Sequence, residues 1–78
     1  MKIRAGYYII RYDNTLFLSQ ITRETNGEYY GHDLEKLDNG KSEITLNWPV
    51  DEIFGEIEYL EYGRTIKSLK KKVPQYFV

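Results

Sequence analysis

The sequence contains no cysteine, which excludes disulfides, thiolate zinc sites, iron–sulfur clusters and cysteine nucleophiles. Its single histidine, His32, sits beside Asp33, and one imidazole next to one carboxylate falls short of the three or four ligands a metal site needs. No metal or other cofactor is therefore expected. Alanine occurs once and leucine does not dominate, a profile unsuited to a helical bundle. No apolar run approaches 18 residues, so no transmembrane helix is expected. Residues 1–6 lack the apolar stretch of a secretory signal, and a cytoplasmic location is the expectation. Ser19, Ser42 and Ser68 lie in no Gly-x-Ser-x-Gly elbow, and neither a phosphate-binding glycine loop nor a dinucleotide fingerprint occurs. The chain is expected not to be an enzyme.

What is present points to a small β domain. At 78 residues the chain makes one domain with a thin core. Aromatics reach 15%, eight of them tyrosine, and tyrosine, isoleucine and threonine suit a pleated, half-buried surface. Eight rings exceed what so small a core can hide, so two or three tyrosines are expected at the surface.

Turn signals recur at short intervals: Asp13-Asn14, Asn26-Gly27, Asp38-Asn39-Gly40 and Trp48-Pro49. The runs between them have strand length, the pattern of a small antiparallel sheet or barrel. The first strand is read over residues 6–12, with Tyr8, Ile10 and Tyr12 on one face and Tyr7 and Ile9 on the other. Two apolar faces make it an inner strand. The second covers residues 15–23. The third, residues 28–33, is short, and Gly31 within it suggests a bulge or a close backbone approach. Residues 34–37 read as a helical turn or an irregular loop. In the fourth, residues 43–48, Ile44, Leu46 and Trp48 alternate with Glu43, Thr45 and Asn47, and Pro49 ends it. The fifth, residues 53–62, places Gly55, Ile57 and Tyr59 on one face and Glu56 and Glu58 toward water, and Gly63 breaks it.

Residues 64–73 carry helical spacing in Ile66, Leu69, Lys70 and Val73, and Pro74 ends such a helix; a last strand through Tyr76, Phe77 and Val78 is the alternative. The expected architecture is a mainly β, five-stranded antiparallel SH3-like barrel or curled sheet. Residues 1–63 form its core, and the C-terminal helix or strand of residues 64–78 packs on it.

The net charge of −1 conceals a strong asymmetry. Residues 1–63 carry 6 basic and 12 acidic side chains, whereas residues 64–78 carry 5 basic and none acidic. The basic end can neutralise the acidic strand by lying over it, or serve as a contact surface. Two candidate surfaces follow. An acidic strip of Asp51, Glu52, Glu56, Glu58 and Glu61, with Tyr62, is suited to a basic protein partner. A basic segment of Arg64, Lys67, Lys70, Lys71 and Lys72, with exposed tyrosines, is suited to nucleic acid. His32 reads as a surface imidazole bonded to its neighbour. The thin core, apolar ends and open strand edges also invite homodimerisation.

Two segments resemble a known family. Residues 6–21, GYYIIRYDNTLFLSQI, are similar to the β-hairpin of the LexA-like self-cleaving repressors. Residues 53–64, IFGEIEYLEYGR, look like the strand that closes that domain. The resemblance implies a shared β-framework over residues 5–64. It does not carry the activity across: Ser19 stands where the family places its catalytic lysine, and the segments bearing its serine nucleophile and its DNA-reading helices have no counterpart. The functional expectation is a non-enzymatic binding module of the kind that phage and mobile elements use to inhibit a host protein, with nucleic-acid binding as the alternative.

Overall fold

The computed structural model describes residues 2–77. Five strands form one antiparallel sheet: β1 (Gly6–Tyr12), β2 (Thr15–Arg23), β3 (Tyr29–Lys36), β4 (Trp48–Pro49) and β5 (Glu58–Gly63), in the order β4-β3-β2-β1-β5. The sheet is open, with β4 and β5 at its edges. Among the described residues no helix is long and apolar enough to cross a membrane.

The β1–β2 hairpin turns on Asp13 and Asn14, both left-handed at φ of 50° and 56°. Two consecutive positive values match the twist of the flanking strands, and Asp and Asn tolerate them better than most residues do. The register pairs Tyr12 with Thr15 and Ile10 with Phe17. β1 is an inner strand, and its two faces serve two cores as its sequence indicates. Tyr8 and Ile10 join Phe17, Ile21, Trp48, Val50 and Ile57, with Tyr12 packed against them. Ile9 joins Leu18, Leu69 and Val73, with Tyr7 against them.

The second core is covered by α1 (Ile66–Lys72). Thr65 caps it: the Ser68 backbone N–H donates to Thr65 Oγ1 at 3.0 Å, and the Thr65 N–H donates to Ser68 Oγ at 3.2 Å. Lys70, Lys71 and Lys72 fill the last turn, where positive charge suits the helix dipole. The helix sits close, since a Cβ on Gly63 would stand 2.8 Å from Leu69 Cβ. Gly63 is thus the last residue of β5 and the point at which the helix docks. A 3-10 turn (Pro74–Phe77) replaces the alternative last strand and lays Tyr76 and Phe77 half-buried on the same core. Val78, the third residue of that apolar ending, lies outside the described residues.

Residues 37–57 cover the first core, and here the chain departs from its pattern. β3 continues to Lys36 instead of yielding to a helical turn, because Glu35 and Lys36 pair with Leu18 and Phe17. The register shift that allows this leaves Leu34 unpaired as a bulge; Gly31 is the site of a close approach, where a Cβ would overlap the Trp48 ring. Of the expected fourth strand only Trp48 pairs with β3, and the pairing runs on through Pro49, which was expected to end it. Thr45 is drawn to β3 instead: Asp33 N–H donates to the Thr45 carbonyl at 3.0 Å, and Thr45 N–H donates to Asp33 Oδ2 at 3.0 Å. Ile44 and Leu46, expected inside with Trp48, are therefore turned out, 46% and 66% exposed. Asn47, at φ of 61°, changes the chain's direction and returns Trp48 to the core.

The fifth strand also starts later than its sequence suggests. Phe54–Glu56 form a 3-10 turn closed by Glu56 N–H to the Ile53 carbonyl at 3.0 Å, so pairing begins at Glu58. Phe54 there stacks on Tyr59 at 5.3 Å between ring centres. No tyrosine is fully exposed: Tyr8 is buried and the other seven are partly buried, against the expectation of two or three at the surface. Two cores served by one sheet, with rings also lying along its rim, accommodate more aromatic surface than the single thin core supposed.

Candidate functional site

The most connected polar group in the structure is Asp33, a 5%-exposed carboxylate on the first-core face of β3. Ser19 Oγ donates to Oδ1 at 2.7 Å, Trp48 Nε1 donates to Oδ1 at 3.2 Å, and Thr45 N–H donates to Oδ2. Three donors offset much of the desolvation a buried carboxylate suffers. No ion pair reaches it among the described residues. The network ties β2, β3 and the segment over the core into one unit. Beside it lies a partly open cavity of about 60 Å³, lined by Ile10, Tyr12, Asp33, Thr45, Trp48, Ile53 and Ile57.

Serine, histidine and aspartate are all near at hand, yet among the described residues they form no nucleophile–base pair. Ser19 and Asp33 face the first core. His32 is on the opposite side of the sheet, where its Nε2 lies 3.5 Å from Thr22 Oγ1. The expected bond between His32 and its neighbour Asp33 is absent because consecutive strand residues point to opposite faces. Among the described residues no group of three metal-ligating side chains converges.

The acidic strip is divided. Asp51 and Glu52 fall at the β3–β4 side, where they line a concavity of about 140 Å³ with Glu28, Tyr29, Tyr30 and Pro49. Tyr30 Oη donates to Glu28 Oε2 at 3.0 Å; that bond, followed by the charges of Glu28, Glu24 and Glu52, holds the Tyr30 hydroxyl above its ordinary pKa. Glu56 is exposed on the 3-10 turn. Glu58 pairs with Arg11 at 3.2 Å, and Glu61 pairs with Lys72 at 3.0 Å. Glu56 and Glu58 thus share no strand face. The C-terminal segment neutralises the acidic strand at one point, Lys72 with Glu61; Lys72 Nζ also donates to the Tyr62 carbonyl at 3.1 Å.

Arg64, Lys67, Lys70 and Lys71 are exposed on and before α1, with Lys70 Nζ 5.5 Å from the centre of the Phe77 ring. Tyr62 is held from both ends. Its hydroxyl donates to the Ala5 carbonyl at 2.9 Å, and the Arg4 guanidinium lies 4.0 Å from its ring centre. Lys2, Arg4, Tyr8, Tyr62 and Lys72 line an open groove of about 280 Å³, completed by Leu60 and Glu61. Lys2 and Arg4 had no place among the residues picked out by charge clustering, because they are some 60 residues from the basic segment in the chain.

No family model, curated protein or solved structure matches this chain.

The exposed apolar side chains are the other feature hidden in the sequence. Ile44 and Leu46 project from a loop fixed at Thr45, with Leu34 (41% exposed) on the β3 bulge and Phe54 (37%) on the 3-10 turn. The strand-like alternation of residues 43–48 concealed them, because it pointed all three apolar residues inward.

Proposed function

We propose that the chain is a non-enzymatic module that binds another protein through the loop carrying Ile44 and Leu46. The observation that carries this reading is the outward display of two aliphatic side chains on a segment anchored to a buried carboxylate. A loop pinned to a rigid sheet loses little entropy on binding, and exposed aliphatic groups gain from leaving water. Leu34 and Phe54 add apolar surface outside the loop. Asp51, Glu52 and Glu56, exposed and in no ion pair among the described residues, serve as charge that steers a basic partner. The module works by occupying its partner's surface, as inhibitors of the phage or mobile-element kind do, a comparison made by analogy. In this reading the likeness to self-cleaving repressors is a shared β-framework, and the five-stranded sheet an opened form of the SH3-like shape.

The test is capture of a partner from cells by the immobilised protein. Ile44→Asp with Leu46→Asp should abolish a specific capture, while Lys67→Glu with Lys71→Glu should leave it intact. Unchanged capture by the loop variant sinks the reading.

One observation favours nucleic acid instead: the groove that brings Lys2, Arg4 and Lys72 beside Tyr62, with the exposed Lys67, Lys70 and Lys71 on the same helix as Lys72. Cations beside an aromatic ring can hold a single strand. A gel shift at low salt decides it. Binding that weakens steeply with salt and is lost in Arg4→Glu with Lys67→Glu supports this second reading, and no shift removes it.

A further inference from the structure

We propose that the cavity beside Asp33 binds a small primary alkylammonium group, as a free amine or as the end of a lysine side chain. This does not depend on the protein-binding reading. The cavity joins three features that suit such a cation. The first is a carboxylate without a counter-cation among the described residues. A carboxylate offers about four acceptor positions, and Ser19, Trp48 and Thr45 occupy three, with only one donor on Oδ2. The second is a pair of aromatic side chains in the lining, Trp48 and Tyr12, whose rings offer apolar surface to an alkyl stem. The third is an aliphatic lining from Ile10, Ile53 and Ile57, which suits an alkyl stem and gives water few partners.

Size and access agree with this assignment. About 60 Å³ admits an ammonium and its first carbons, and the partly open mouth lets a longer stem pass outward. Thr45 lines the cavity and lies between Ile44 and Leu46 in sequence. A lysine entering from a bound protein would therefore sit beside the exposed aliphatic loop. The ammonium gives up its hydration on entry, and the open acceptor position of the carboxylate must replace it.

Trp48 is the only tryptophan, so its fluorescence reports on the cavity without a label. The experiment titrates the protein with methylammonium and n-butylammonium chlorides, with sodium chloride and n-butanol as controls. Methylammonium should give a saturable change on the order of 10 mM, because two heavy atoms cannot bind much more tightly. Butylammonium should bind several-fold tighter. Asp33→Asn should weaken both at least tenfold. If that variant fails to fold, Ile57→Phe decides: it fills the cavity, leaves the donors to Asp33 in place and should abolish the response. An acetylated, amidated lysine reads the source. Affinity equal to butylammonium assigns a lysine side chain, and tenfold weaker binding assigns a free amine. An unsaturable response, an equal response to sodium chloride or butanol, or binding that survives Ile57→Phe would overturn the proposal.

Discussion

The two faces of the sheet are covered by opposite means. On one, a seven-residue helix lays Leu69 over Ile9 and Leu18, an aliphatic centre with Tyr7, Tyr76 and Phe77 packed against it. On the other, an irregular segment with a single short edge pairing is fastened by a buried carboxylate to β2, β3 and the Trp48 indole. The helix carries its own backbone hydrogen bonds and needs only an apolar stripe to dock. The irregular segment has no such internal ladder, so a side chain must supply acceptors for it. The helical cover is closed and greasy. The loop cover leaves a cavity and turns aliphatic side chains outward, and it is there that the proposed protein-binding surface and ammonium cavity lie.

Substitutions that separate the two covers should rank by how much each leaves unsatisfied. Asp33→Ala strands the Ser19 hydroxyl, the Trp48 indole N–H and the Thr45 N–H together, and should cost about 4 kcal/mol in urea unfolding. Leu69→Ala opens a hole in the helical cover at a fully buried position and should cost about 3 kcal/mol by the same measurement. A loss in Leu69→Ala exceeding that in Asp33→Ala would reverse the comparison.

Thr65→Ala removes the acceptor for the Ser68 N–H and should cost about 1 kcal/mol, read as a lower thermal midpoint. The smallest effect has the opposite sign. Among the described residues Tyr59 Oη is buried without a partner, so Tyr59→Phe should stabilise by about 0.5 kcal/mol. Burial, then the nearby Tyr8 and Asp51, pushes the Tyr59 pKa up to about 12 from an ordinary value near 10. The folded state therefore keeps a proton that the unfolded chain releases. This contribution to stability is complete below about pH 10 and is lost as pH rises through about 12. Unfolding followed from pH 9 to 12 should show that decline in the parent, and a shallower one in Tyr59→Phe.

The legible parts of the fold are those held by local periodicity. Asp13-Asn14 announces its hairpin, the two apolar faces of residues 6–12 announce an inner strand, and Ile66, Leu69 and Val73 announce the helix. The segment over the first core was illegible for a definite reason. Alternation at Ile44, Leu46 and Trp48 fits a strand, but Asp33 draws in Thr45 and the left-handed Asn47 then reverses the phase. Asp33 itself reads as one more acid in an acidic body, and nothing in its neighbours marks it as buried. The acidic strip failed likewise: Arg11, distant in sequence, claims Glu58, and the 3-10 turn at Phe54–Glu56 removes Glu56 from the strand.

Amide hydrogen exchange at residues 43–47 tests the fastened loop most directly. With its N–H on the Asp33 carboxylate, Thr45 should exchange orders of magnitude more slowly than Glu43, and the Trp48 indole N–H should be similarly protected. Thr45 exchanging as fast as Glu43 would mean that the carboxylate holds nothing down and that Ile44 and Leu46 are not presented on a fixed support.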